Sequence, residues 1–362
     1  MKILYDHMIF ARQKYGGISK YFNELLQRIP QKDWELSLLV SNNHYLEETG
    51  LKKTLNFFSN VDFKGKERIM VELGVPYSIY KLKSKKWDVF HPTMMPARYS
   101  SYMPKNKPMV ITAHDVLYYL FHKNNPKREW LLEMDIKAAN MADKIIAISE
   151  NTKRDYIQYF GIDEKKIEVI HHGIEKNKQT IYKNRIEENP YILFVGIRYD
   201  YKNFSRFAKA FSIISEKNPE IRLICTGFPF SDSEKNELKS LNIIDKTKLI
   251  LATEQEMAQL YHDAEMFVFP STYEGFGMPI LEAMVYDCPV VLSNTSCFPE
   301  IAQDAGLYFN PYEVDDIVDK ITNMLMNVDL RKRYIELGKK RLSGFSWDKC
   351  AAEHVKTYNS LL

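Results

Sequence analysis

Short apolar runs alternate with stretches of helical spacing along nearly all of the 362 residues. Lys2-Ile-Leu-Tyr5 reads as a strand. A loop holding Gly16-Gly17 follows, and Ile18, Tyr21, Phe22, Leu25, Leu26 and Ile29 then recur at helical spacing. Residues 34–40, 87–90, 109–112, 144–148 and 167–170 read as further strands, with helical patterns over 131–142 and 152–160. A polar stretch over 175–190, ending in Asn189-Pro190, reads as a linker. Beyond it, strands are predicted at 191–195, 221–226, 248–251, 266–269, 289–292 and 307–309, with helices between them. Such alternation specifies an α/β fold with parallel sheets. The chain is too long for one ordinary core, so two doubly wound domains are expected, with a ligand cleft at the carboxyl ends of their strands.

The densest chemistry lies in Ser271-Thr-Tyr-Glu-Gly-Phe-Gly-Met-Pro-Ile-Leu-Glu-Ala-Met284, just after the 266–269 strand. Gly275 and Gly277 permit a tight turn, and Pro279 suits the first position of a helix, where no N–H is needed. Glu274 then projects from the loop. Glu282 is expected in the first helical turn, where unpaired N–H groups favour anions, and its carboxylate can hold a ribose diol. Upstream, the 191–195 strand ends at Gly196, with Arg198 and Lys202 in the loop that follows. Two cations beyond a strand end suit a diphosphate, although they can also pair with Asp200 or cap helix ends.

Composition narrows the class. Apolar content of 45% with 27% charged residues is that of a folded globular protein. Cys225, Cys288, Cys297 and Cys350 lack metal-ligand spacing and read as reduced thiols of a cytoplasmic protein. No window approaches the roughly 18 to 20 apolar residues of a spanning helix, and the first residues do not form a signal peptide. Charge is uneven. Residues 1–180 carry 29 Lys and Arg against 21 Asp and Glu, a net +8, and the remainder carries −5. Lys81, Lys83, Lys85, Lys86, Lys105, Lys107, Lys123, Lys127 and Arg128, with Trp87, Tyr99, Tyr102, Met103 and Trp130 nearby, read either as solvated lysines or as a surface for anionic lipid or an anionic acceptor. No nucleic-acid motif is present. Asp6-His7 and His91 lie near strand ends and read equally as core groups; His44, His122, His262 and His354 have no partner pattern.

Gly196 to Lys202, the Glu-x7-Glu segment, Ala142-Asp-Lys-Ile-Ile-Ala-Ile-Ser-Glu150, Val169-Ile-His-His-Gly-Ile174 and Phe345-Ser-Trp347 occur in one order. Together they resemble the retaining family 4 glycosyltransferases of the GT-B fold over almost the whole chain. The resemblance implies two Rossmann-like domains facing across a cleft: an acceptor-side domain over 1–176, a linker over 177–190, a donor domain over 191–345, and a terminal helix over 346–362 returning to the first domain. It implies Glu274 on the donor sugar, Glu282 on the ribose, and Arg198 and Lys202 on the leaving diphosphate. Gly275, Phe276 and Gly277 complete the donor loop. Gly16 and Gly17 would admit the phosphate or acceptor to their backbone amides, where bulk would block the cleft. His114, after a strand in Thr112-Ala-His-Asp115, matches the family's active-site histidine on the donor sugar.

Tyr201-Lys202-Asn203 is similar to bacterial O-antigen and capsule mannosyltransferases, which implies mannose from GDP-mannose, passed to a glycan or lipid-linked acceptor of a surface polysaccharide. His171-His172-Gly173 stands where the family has Pro-Asn-Gly, and 197–201 is more aromatic than the common loop, so base and acceptor stay open. No Asp-x-Asp motif follows a strand, Asp315-Asp316 lies on a helix face, and the expectation is a metal-independent enzyme with no cofactor, the nucleotide-sugar being a co-substrate. Other readings are a UDP-sugar transferase of the same fold, a sugar-nucleotide epimerase or hydrolase, and a non-catalytic subunit of a glycosyltransferase complex.

Overall fold

The computed structural model describes all residues except 59–60, 122–125, 127, 178 and 183. The basic positions Lys123 and Lys127, His122 and part of the expected linker thus lie outside the described residues. Two compact units emerge, one of Met1–Gly173 with Ser346–Leu362 and the other of Ile174–Phe345.

In the first unit, β1 (Ile3–Tyr5) lies between β2 (Trp34–Leu36) and β3 (Val89–His91), all parallel, with Leu4 opposite Glu35 and Phe90. A second parallel sheet orders β4 (Val110–Ala113), β5 (Lys144–Ala147) and β6 (Ile167–Val169). A single parallel bridge, Phe90 to Met109, joins the two sheets. The strand predicted over 34–40 stops at Leu36, and beyond it, among the described residues, only Val40 bridges to Leu55. Helix Gly17–Arg28 buries Tyr21, Phe22, Leu25 and Leu26 in a core shared with Ile3, Tyr5, Trp34 and Val89. Trp87 and Tyr99 are core residues as well, so they are not surface anchors beside the lysines. The lysine clusters are partly neutralised: Lys81 pairs with Glu35 at 2.5 Å and Lys107 with Asp88 at 3.7 Å, while Lys85 and Lys86 stay exposed.

The terminal helix Trp347–Asn359 belongs to this unit and is tied in by a buried relay whose hydrogens can be assigned. His354 Nδ1 lies 2.7 Å from the Cys350 carbonyl, which only accepts, so Nδ1 carries the hydrogen and Nε2 accepts from Tyr21 O–H at 2.5 Å. The Tyr21 oxygen then accepts from Thr112 O–H (3.1 Å), and Thr112 from His91 Nε2–H (2.9 Å). His91 Nδ1 accepts from Tyr358 O–H (2.6 Å), whose oxygen accepts from Tyr5 O–H (3.1 Å). Every member is satisfied with both imidazoles neutral. Burial holds the pKa of His354 down to about 4 and that of His91 well below its usual value.

The second unit is one six-stranded parallel sheet, its strands lying side by side in the order 306–309, 290–293, 266–269, 191–194, 222–226 and 247–250. Its strands are β7 (Tyr191–Phe194), β8 (Arg222–Thr226), β9 (Thr247–Ile250), β10 (Met266–Phe269), β11 (Val290–Ser293) and β12 (Gly306–Phe309). Strands buried on both faces need continuous apolar runs, and β7 and β10 are buried throughout. Helix Phe204–Lys217 packs Phe204, Phe207, Phe211 and Ile214 into the core beside β7 and β10. Ser231 with Glu234, and Thr253 with Glu256, form capping boxes that start the next two helices. From β7 the chain builds outward to β8 and β9, then returns to set β10 on the other side of β7. The order therefore reverses between β7 and β10, where an open parallel sheet leaves a crevice at its carboxyl edge.

All four cysteines are buried and unpaired, and burial raises each thiol's pKa. Among the described residues, no helix is long and apolar enough to cross a membrane.

Candidate active site

The loops that leave β7 and β10 carry the two halves of the candidate donor site, and they meet in one ion pair. Gly196, at φ +115°, turns the chain off β7, and a short 3-10 turn, Asp200–Lys202, follows. Lys202 Nζ lies 2.6 Å from Glu274 Oε1, with the two side chains only 13% and 14% exposed. The ammonium also sits 5.1 Å from the centre of the Phe269 ring. The Tyr201 carbonyl accepts from Thr272 N–H at 2.7 Å and from its hydroxyl at 3.1 Å, fixing one loop to the other. A pair so shielded keeps much of its Coulomb attraction, and an anion placed beside it would compete with Glu274 for the ammonium.

Glu274 is held from a third loop, after β11. Its N–H donates to Ser296 Oγ at 3.0 Å, and the Ser296 hydroxyl donates back to the Glu274 carbonyl at 2.7 Å. Ser296 itself has φ +57°, an uncommon conformation for a non-glycine residue. No local pattern in the sequence points to this serine, which lies 22 positions downstream of its partner.

Arg198 is placed differently. Its side chain is 3% exposed, and Nε donates to Glu234 Oε1 at 2.6 Å. Nη1 and Nη2 reach the carbonyls of Thr226 (3.4 Å) and Phe228 (2.5 Å), and the guanidinium lies 4.4 Å from the Phe230 ring centre. Its partner is thus Glu234, which also caps its own helix, and not Asp200. Arg198 ties the β7 loop to the β8 loop, where Gly227 at φ +105° comes so close that an added Cβ would lie 2.6 Å from the Gly196 carbonyl oxygen. Gly227→Ala is expected to cost roughly 2 kcal/mol through backbone strain and this clash. Urea unfolding followed by circular dichroism reads the loss; an unchanged midpoint would show that the two loops separate freely.

The glycine turn differs in detail from its sequence reading. Gly277 is the N-cap of helix Met278–Val285, at φ +84°, and a Cβ there would press on Ile280 and Phe298 at 3.1 and 3.2 Å. Met278 opens the helix and Pro279 is second, so Glu282 lies just past the first turn, which contains no acidic residue. Tyr261 donates to Glu282 Oε2 at 3.2 Å, orienting that carboxylate. Gly275 is buried, and the Phe276 side chain is buried edge-on to Phe345 at 6.0 Å.

His114, Gly16 and Gly17 belong to the first unit. His114 follows β4, and its Nε2 is buried with no hydrogen-bond partner among the described residues. Burial holds its pKa down to about 4, so the ring is neutral at physiological pH. It lies edge-on to Tyr21 at 5.4 Å and nearly parallel to His172 at 6.3 Å. Gly17 opens its helix, and nothing lies within 4 Å of where a Cβ would stand. At Gly16 a Cβ would meet the Gln13 amide at 2.4 Å, the group that accepts from Ser19 N–H. Among the described residues, no group of three or more His, Cys, Asp or Glu is placed to hold a metal ion.

This geometry coincides with similarity to known proteins. Residues 15–178 match the model Glycosyltransferase Family 4, and residues 176–341 match Glycosyl transferases group 1. The chain is 25% identical to O-antigen chain mannosyltransferase B of Escherichia coli, over 98% of this chain and 100% of that protein. It is 28% identical to O-antigen chain mannosyltransferase RfbU of Salmonella typhimurium, over 64% of this chain and 65% of that one. Among solved structures, Anabaena HepE in complex with UDP and glucose aligns with a TM-score of 0.77 at 18% identity, covering 99% of this chain and 100% of the other. Sucrose-phosphate synthase from Thermosynechococcus elongatus aligns with a TM-score of 0.76 at 17% identity, covering 99% and 98%. Two family models matched end to end, on two parallel-sheet units of the same fold as these structures, establish that the chain belongs to the family 4 glycosyltransferases of the GT-B fold.

Proposed function

We propose that this glycosyltransferase moves mannose from GDP-mannose, with retention at the anomeric carbon, to a hydroxyl of a glycan or lipid-linked acceptor during surface polysaccharide synthesis. The observation that carries the reading is the shielded Lys202–Glu274 pair where the sheet order of the second unit reverses. The choice of mannose draws on the O-antigen mannosyltransferases among the relatives. Lys202 meets charge that grows on the departing diphosphate, so its effect is greatest in the transition state. Glu274, released from Lys202, accepts from hydroxyls of the donor sugar, and Glu282, steadied by Tyr261, accepts from the ribose diol. Arg198, its charge met by Glu234, serves the site by keeping the β7 and β8 loops together.

The acceptor oxygen forms its bond to the anomeric carbon on the face that the diphosphate leaves. As the bond between the anomeric carbon and the diphosphate oxygen breaks, the diphosphate leaves with its electron pair and takes up the acceptor proton. Neutral His114, with Nε2 unspent, is suited to hydrogen-bond a sugar hydroxyl without adding charge. The reading needs no metal, because the chain supplies its own cation at the leaving group. Exposed Lys85 and Lys86 support a peripheral contact with anionic membrane at the cytoplasmic face.

The test is a thermal-shift screen with GDP-, UDP- and ADP-sugars, followed by NMR of the product's anomeric configuration. At a hundredfold excess over Kd, the bound nucleotide adds about 2.7 kcal/mol to apparent stability. GDP-mannose is expected to give the largest shift and an α-linked product. A preference for UDP would favour the second reading, which the HepE complex with UDP and glucose supports. Donor breakdown at the same rate with and without acceptors would make the protein a hydrolase or epimerase. No nucleotide shift at all would leave a non-catalytic subunit.

A further inference from the structure

Ser296, in the loop after β11, has φ +57°, a left-handed conformation that glycine enters freely and a side chain resists. Its neighbours hold it there. Thr295 Oγ1 donates to the Thr272 carbonyl at 3.2 Å, Cys297 and Phe298 are fully buried, and the Phe298 ring lies 4.9 Å from the Phe269 ring on β10. Backbone strain of this kind persists where the surrounding packing imposes it, and it gathers at sites of function.

The hydroxyl that this turn presents serves one residue. It accepts from the Glu274 N–H at 3.0 Å and donates to the Glu274 carbonyl at 2.7 Å, so its hydrogen and one lone pair hold both polar backbone groups of Glu274. Neither peptide plane beside Glu274 can then turn alone, which sets the direction of its side chain. Both bonds run between loops, the one after β10 and the one after β11, so no strand or helix depends on them. A glycine at 296 would relieve the backbone and leave Glu274 without the clamp. The Glu274 carboxylate lies 2.6 Å from Lys202 Nζ, a distance at which a shift of about an ångström changes the chemistry of the pair.

We infer, building on the transferase reading above, that Ser296 is a positioning residue for the transfer. Its hydroxyl fixes the backbone of Glu274 so that the carboxylate meets the donor sugar and the Lys202 ammonium in one geometry. The left-handed backbone is kept because glycine, which suits it better, has no hydroxyl to offer.

Three variants of the full chain test this. Ser296→Gly deletes the hydroxyl and the strain together, Ser296→Ala deletes the hydroxyl alone, and Ser296→Thr keeps the hydroxyl while adding a β-branch that the left-handed region resists. If the serine served stability alone, activity would follow the urea midpoint. Ser296→Gly should instead unfold near the parent's midpoint, because relief of strain offsets the lost hydrogen bonds, and yet lose roughly tenfold to a hundredfold in kcat. Ser296→Thr should unfold at lower urea and keep most of its kcat. Ser296→Ala should lose both. Turnover is measured with the nucleotide-sugar that gives the largest thermal shift, and KM should move less than kcat. Calorimetry with GDP and UDP, which carry no sugar to meet Glu274, should give the parent's affinities in all three variants. Full kcat in Ser296→Gly, or a kcat that tracks the urea midpoint across the three, would overturn the assignment. If the parent itself turned over no nucleotide-sugar, the transferase reading would fail, and amide hydrogen exchange would decide the clamp. The Glu274 N–H should exchange faster in Ser296→Gly and Ser296→Ala than in the parent and Ser296→Thr; equal exchange in all four would remove it.

Discussion

Lys202→Met lowers kcat/KM by roughly 10²- to 10³-fold, about 2.7 to 4 kcal/mol of transition-state stabilisation, the usual loss when one preorganised donor to a developing anion is removed. The loss should fall mainly on kcat, because the diphosphate carries more charge as the glycosidic bond breaks than in the bound donor. Methionine keeps the length and the contact with Phe269 while deleting the charge. Glu274 complicates the measurement, since the substitution also frees a mostly shielded carboxylate. A double-mutant cycle with Glu274→Gln separates the two effects, and groups 2.6 Å apart should couple strongly. Steady-state kinetics with the nucleotide-sugar that gives the largest thermal shift decide it. If Lys202→Met kept kcat within threefold of the parent, the leaving group would be served from elsewhere in the chain.

Acid should destabilise the first unit well above the usual carboxylate range. His114 and His354 have pKa values near 4 when folded, lowered by burial, against about 6.5 in the unfolded chain. Between those values the unfolded state binds more protons, so stability is full above about pH 6.5 and is lost as pH falls toward 4. At pH 5 each group costs about 2 kcal/mol. His91 and His172, also lowered by burial, act in the same direction. Asp135, raised by burial to about 6, opposes them by about 1 kcal/mol, and Asp6, likewise raised, adds to that opposition. A net loss of about 2 to 3 kcal/mol between pH 7 and pH 5 follows, large against the 5 to 15 kcal/mol of an ordinary domain. Trp34, Trp87, Trp130 and Trp347 all lie in this unit, so tryptophan fluorescence during urea unfolding reports it alone. His354→Gln should flatten the pH dependence. Stability that stayed level or rose between pH 7 and pH 5 would mean that these imidazoles take up protons in the folded state.

Parts of the molecule were legible because the relevant physics is local. Runs such as Tyr191–Phe194 and Met266–Phe269 have to be strands buried on both faces, since they are short, apolar and bounded by turns. Gly277 was legible because a left-handed turn before a helix favours glycine. Where several short-range preferences compete, precision fell away. The helix after Gly277 begins one residue earlier than the proline indicated, which moves Glu282 out of its first turn. Arg198 shows a different limit: two cations near each other in sequence look alike, yet one faces Glu274 and the other is enclosed by Glu234, Thr226, Phe228 and Phe230.

By itself the sequence determined the α/β class, the run of strands and helices, the two-part build, and the segments from which a donor site is made. These follow from hydrophobic period and turn chemistry, which act over a few residues. Only the tertiary structure decided which side chains meet. Sheet order set β7 beside β10 and so brought Lys202 to Glu274 across 72 positions, while the clamp from Ser296, the burial of Arg198 and the relay from Tyr5 to His354 depend on contacts of long sequence separation. Hydrogen bonds and ion pairs are directional and act over a few ångströms, so they belong to the packed arrangement and leave no periodic mark along the chain.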